Sequence, residues 1–155
     1  MTLSVISHTT GPITARVPPH SMGPGMPPMD LGYMIGATVY ATHTFADAPP
    51  LDILLVPGGL GVNALVQKND TAIEKFVQQR YPTLEYLASV CTGSGILANA
   101  GVLSGKRATT NKAAWAQVVS IGSNITWVPS ARWVQDGNIW TSSGVAAGNN
   151  LLAQY

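Results

Sequence analysis

A chain of 155 residues has the size of one domain, and a composition that is 46% hydrophobic, 10% charged and rich in glycine (sixteen) favours a buried, tightly turned fold over a disordered segment. Eight Lys and Arg against seven Asp and Glu leave a formal charge of +1, too balanced for a nucleic-acid surface. Apolar runs such as 53–56 fall far short of the ~20 residues that cross a bilayer, and no basic stretch followed by a long apolar one opens the chain, so a soluble cytoplasmic protein is expected.

The chain begins in a strand-like run, 2–7, and turns at Gly11 and Pro12 into an apolar stretch at 13–17. From 18 to 36, Pro18, Pro19, Pro24, Pro27 and Pro28 alternate with glycines and deny both helix and ladder their donors, which predicts a long surface loop. Residues 38–45 alternate as a half-buried strand, with Val39, Ala41, His43 and Phe45 on one face. The short apolar run 51–56, stopped by Pro57-Gly58-Gly59, has the pattern of a strand buried on both faces of a parallel sheet.

Thr71 and Glu74 have capping-box spacing, and Ile73, Phe76, Val77 and Tyr81 recur at helical intervals before Pro82. A second buried strand, 84–90, runs directly into Cys91. A small-residue helix, 92–100, follows and is closed by Gly101, with Val102 placed for the cap's apolar contact. Next come a short strand at 107–109, a helix at 111–119 and strands at 125–134 and 138–141. Asp136-Gly137 between the last two suits a tight hairpin. Strands alternating with helices, ending in one hairpin, argue for an α/β sandwich.

The single cysteine rules out an internal disulfide and a multi-cysteine zinc site. Its setting, Ala88-Ser89-Val90-Cys91-Thr92-Gly93-Ser94-Gly95, places a nucleophile at a sharp strand-to-helix turn whose small neighbours let the backbone fold tightly. Unpaired amides and the positive end of the helix that follows would favour the thiolate; an inert buried cysteine is the competing reading. The glycines at Pro57-Gly58-Gly59-Leu60-Gly61 follow the neighbouring strand, and their bare amides offer oxyanion donors, unless they form only a tight turn.

Four ordered blocks carry a family likeness: 51–59 (LDILLVPGG), 90–93 (VCTG), 100–110 (AGVLSGKRATT), and the pair 132–137 (RWVQDG) and 141–148 (TSSGVAAG). Together they resemble the DJ-1/PfpI superfamily, in its isonitrile hydratase-like branch, over about 3–152. The resemblance implies a flavodoxin-like three-layer α/β sandwich with a mainly parallel sheet and a late β-hairpin, in a single domain spanning 1–155. It also implies a homodimer acting on a small-molecule substrate without metal or organic cofactor. Cys91 is then the nucleophile, Thr92 contributes an adjacent amide and hydroxyl, Gly58 and Gly59 line the anion-stabilising pocket, and Leu60, Thr110, Asn111 and Ser143 surround it. In such a reaction the thiolate attacks the terminal carbon of R–N≡C, and an acid protonates the adduct to a thioimidate. Water then releases an N-substituted formamide.

The sequence departs from this family in four places. The usual first strand, with an acid reaching over the cysteine, is missing, and Asp30 sits in the Pro/Gly loop as an ordinary turn residue. Asn111-Lys112 stands where relatives often have His, and Asn is no base near neutrality. Gly148-Asn149-Asn150 replaces a pattern that usually has Asp, and the customary final helices are absent. Dimerisation would cover surfaces so exposed. The alternative function is a redox sensor or binding module that keeps the elbow without the acid. His8, His20 and His43 lack ligand spacing. Trp115, Trp127, Trp133 and Trp140 are expected in the core or hairpin, and Lys106, Arg107 and Lys112 are expected to face solvent.

Overall fold

A computed structural model describes residues 2–16 and 35–152; His20, Asp30 and most of the expected 18–36 loop lie outside the described residues. Its centre is a four-stranded sheet in the order β5 (Ile53–Val56), β6 (Tyr86–Val90), β10 (Ile139–Ser142), β9 (Trp133–Asp136). β5, β6 and β10 run parallel, and β9 returns antiparallel through a turn in which Gly137 takes φ 63°. Three two-stranded pairs accompany it. β1 (Ile6–Ser7) is parallel to β4 (His43–Thr44), β2 (Gly11–Arg16) is antiparallel to β3 (Ile35–Ala41), and β7 (Arg107–Ala108) is parallel to β8 (Thr126–Trp127).

The register separates the central sheet into two unlike faces. Leu54, Val56, Leu87 and Ile139 share one face and pack with Val77, Ile96 and Leu97 of the helices α2 (Ala72–Arg80) and α3 (Gly93–Asn99). This is the main core. On the opposite face Ala88 and Trp140 are buried with Tyr86 beside them, and α5 (Val145–Leu152) contacts β6, β9 and β10. Ile53 and Leu55 on that face stay 40% and 41% exposed, so β5 is covered on one side only, contrary to the two-sided burial its apolar run suggested. An apolar run of four cannot by itself distinguish the two cases.

Other departures are local. The 38–45 alternation is broken at Thr42, whose N–H and hydroxyl both donate to the Val5 carbonyl, and Val39 is 53% exposed on the β2–β3 hairpin. Helix α1 (Gly61–Gln67) was unanticipated, although Val62, Leu65 and Val66 have helical spacing. α5 was unanticipated too. Thr71 makes no side-chain cap to α2; Asp70 Oδ1 accepts the Ala72 N–H at 3.1 Å instead. α4 covers Trp115–Val119 only, and the 125–134 run divides into β8 and β9.

Asp136 ties the hairpin to β7. Its carboxylate accepts the Arg107 N–H at 2.8 Å and pairs with the Lys106 ammonium at 3.4 Å. The Arg107 amide first, and then Lys106, hold its pKa below the ordinary carboxylate value. A group depressed on folding contributes stability above its unfolded pKa and loses it as the pH falls through the folded one. Asp136→Asn is therefore expected to flatten the fall in melting temperature below about pH 4 relative to wild type; parallel curves for the two proteins would refute the linkage.

Several other charged and aromatic groups also find partners. His8 Nε2 meets Asp70 Oδ2 at 2.8 Å and its ring stands edge-on to Phe45. Lys112, expected in solvent, donates to Thr109 Oγ1 at 2.9 Å and lies 4.7 Å from the centre of the Trp115 ring; partial burial lowers its pKa. Trp115 meets Trp127 edge to face, and Trp133 stacks on Trp140 at 5.3 Å.

Candidate active site

Cys91 lies between the last residue of β6 and the first turn of α3, with φ 60°. Among the described residues only two other non-glycines have positive φ, Asn69 and Asn124, a type that tolerates the left-handed region. For cysteine the conformation costs about 1–3 kcal/mol and persists only where surrounding contacts impose it. The Cys91 N–H donates to the Ser142 carbonyl at 3.0 Å, continuing the β6–β10 ladder into the bend. Its carbonyl accepts two hydroxyls, Thr110 Oγ1 at 3.1 Å and Ser94 Oγ at 3.2 Å. The side chain is half-buried.

The turn after β5 closes on this bend. Thr92 Oγ1 accepts the Gly59 N–H at 2.9 Å and lies 3.4 Å from the Gly59 carbonyl. An added Cβ on Gly58 would sit 2.5 Å from Thr92 N and 2.8 Å from Gly93 N, while one on Gly93 would collide with the Val56 carbonyl oxygen. Both glycines are needed because two backbones meet there without room for a methyl group. The 57–59 turn and the cysteine thus form one unit.

The expected site residues do not all stand alike. Cys91, Thr92, Gly58 and Gly59 are brought together. The Gly59 N–H, however, is spent on Thr92 and is not the open donor its position suggested; φ 132° explains the glycine. The Thr92 and Gly58 amides have no hydrogen-bond acceptor among the described residues. Thr110 is fully buried beneath the bend instead of lining an open pocket. Asn111 Oδ1 accepts the Ala114 N–H at 3.1 Å, just before α4. Ser143, half-buried beside Ser142, donates its N–H to the Arg132 carbonyl, and Leu60, at the start of α1, is 49% exposed.

No side chain among the described residues hydrogen-bonds the Cys91 sulfur, and no group of three or more His, Cys, Asp or Glu gathers there for a metal. Glu74 stands near the elbow, which its place in a capping-box pattern does not signal. One of its carboxylate oxygens is buried without a partner, and the side chain lines a cavity of about 30 Å³ together with Thr92, Gly95, Asn63 and Asn99. The three-residue offset between Thr92 and Gly95 puts both on one side of α3, but nothing in the sequence pairs that side with Glu74.

The DJ-1/PfpI family profile matches residues 29–155. The chain belongs to the DJ-1/PfpI family. It is similar to isonitrile hydratase of Pseudomonas putida, with 40% identity over 114 residues, 73% of this chain and 47% of that protein. A deglycase of Pyrococcus abyssi is 35% identical over 112 residues, 71% of this chain and 64% of the deglycase. In structure it resembles a ThiJ/PfpI domain protein of Brachyspira murdochii at TM-score 0.71 and 20% identity, covering 97% of this chain and 75% of that one, a likeness of fold alone. This DJ-1/PfpI chain spans about half the length of the isonitrile hydratase it matches. The flavodoxin-like α/β fold expected from the four sequence blocks is the fold of its structural relatives. No described helix is long and apolar enough to cross a membrane.

Proposed function

We propose that the chain is a cofactor-independent cysteine enzyme of the isonitrile hydratase type, with Cys91 as nucleophile. The observation that carries this reading is the left-handed φ of 60° at a half-buried thiol in the strand-to-helix bend, strain without purpose for a cysteine that merely packs. Likeness to isonitrile hydratase at 40% identity supports the substrate class. The sulfur lone pair bonds the terminal carbon of R–N≡C, and that carbon takes one proton, giving the thioimidate R–N=CH–S–Cys91. Water adds to the same carbon, the C–S bond breaks, and the products are R–NH–CHO and the restored thiol. The unengaged Thr92 and Gly58 amides would face negative charge as it develops. In this reading the protein is a cytoplasmic homodimer acting on a small molecule.

Incubation of the full chain with cyclohexyl isonitrile should give N-cyclohexylformamide and, on rapid acid quench, a protein heavier by one isonitrile. Neither product appearing would end the reading.

A second reading, a DJ-1-like redox sensor, draws on the absence of any carboxylate hydrogen-bonded to the sulfur among the described residues. There two equivalents of peroxide oxidise the thiol to sulfinic acid and are reduced to water, with no turnover of isonitrile. Uptake of two oxygens at Cys91 in a protein that makes no formamide would favour it.

A further inference from the structure

We infer that Thr110 is a positioning residue for Cys91. Its buried hydroxyl, together with that of Ser94, holds the Cys91 carbonyl and so sets both the left-handed bend of the cysteine and the direction of the Thr92 N–H. The inference rests on the reading of Cys91 as the reacting thiol.

A carbonyl oxygen has two lone pairs, and here both are taken by hydroxyls from side chains with no solvent exposure. Ser94 is local, three residues on, and bonds within the first turn of α3. Thr110 comes from 19 residues away, just beyond the end of β7. Its neighbour Thr109 donates its N–H to Thr141 Oγ1 and its hydroxyl to the Val128 carbonyl, each at 2.9 Å, so the segment has little freedom of its own. Threonine is mostly a surface residue, and a fully buried one in a packed interior is kept for its hydroxyl.

No peptide bond among the described residues is cis, so the carbonyl of Cys91 and the N–H of Thr92, in one planar trans unit, point in opposite directions. Drawing the carbonyl toward Thr110 and Ser94 turns the amide toward the 57–59 turn. Consistent with this, Thr92 N lies 2.5 Å from where a Gly58 Cβ would stand. The amide has no acceptor among the described residues and is free to meet a developing negative charge. Thr110 thus acts on the thiol through one peptide plane, without touching the sulfur.

The test is alkylation of this single cysteine by iodoacetamide in the full chain, followed across pH. Thr110→Val keeps the shape and removes the donor; Thr110→Ser keeps the donor. Thr110→Val is expected to slow alkylation about tenfold near neutrality while the rate in strong alkali, where any thiol is ionised, stays within about threefold. Thr110→Ser restores the neutral rate. A folded Thr110→Val protein with the wild-type profile overturns the inference, as does equal slowing at every pH, which is the mark of a merely structural loss. Should Thr110→Val fail to fold, Ser94→Ala carries the same test, with a smaller slowing confined to neutral pH in support and an unchanged profile against. Because no isonitrile is used, a protein that makes no formamide but shows the Thr110 effect loses the enzyme reading and keeps the clamp. Turnover without the Thr110 effect does the reverse.

Discussion

Cys91→Ala is expected to abolish formamide production and leave no isonitrile adduct on the protein. Cys91→Ser should fare little better, with a loss of about a thousandfold or more, because a serine hydroxyl is not ionised near neutrality and no described base stands within hydrogen-bond reach of this position. Retained turnover in either variant would remove Cys91 from the chemistry. The same position permits a control on folding. Glycine is at home at φ 60° and alanine is not, so Cys91→Gly should be more stable than Cys91→Ala by about 1 kcal/mol in urea or thermal unfolding, with both inactive. A stability that rises as activity vanishes would locate the strain at the functional residue itself.

Gly93→Ala is expected to produce the largest loss of stability of any alanine substitution in the elbow, about 3 kcal/mol or more. The new methyl group would run into the Val56 carbonyl oxygen and lie 3.0 Å from both the carbonyl carbon and oxygen of Pro57. These are backbone atoms of a strand end whose side chains sit in the main core, so they cannot yield as a flexible side chain would. Gly58→Ala meets the same wall from the other side, at Thr92 N and Gly93 N. Gly61→Ala is the matched control. Nothing lies within 4 Å of its added Cβ, and in the first turn of α1 alanine should be neutral or stabilising by up to about 1 kcal/mol. If Gly93→Ala and Gly61→Ala melt together, the close approach of β5 and α3 is not what holds the elbow.

Much of this architecture was readable because the relevant signals are local. The run into Pro57-Gly58-Gly59, the strand ending at Cys91 and the Asp136-Gly137 hairpin each carry turn chemistry in adjacent residues, and each lies where the spacing put it. What escaped depends on long-range contact. Thr71 and Glu74 have the letters of a capping box, but Asp70 takes the helix N-terminus and Glu74 turns toward α3. The glycines after β5 were legible as a site, yet which amides stay open was not, because Thr92 reaches back across 33 residues to take one of them. Likeness to the family puts Thr110 around a pocket, and only the folded chain reveals its bond to the Cys91 carbonyl. β5 misled for a related reason, since its apolar letters suit two covered faces and burial depends on what packs above them.

The half-bare strand β5 also bears on solubility. Branched side chains at Ile53 and Leu55 lie open on one face of a strand whose ladder, among the described residues, is paired on one edge only. Such a segment templates aggregation when chains meet edge to edge. Its neighbours act as gatekeepers: Asp52 places a charge at one end, Pro57 removes a donor at the other, and the run between them is only four residues long. Substitutions at Asp52 or Pro57 would therefore act first on how long the protein stays in solution.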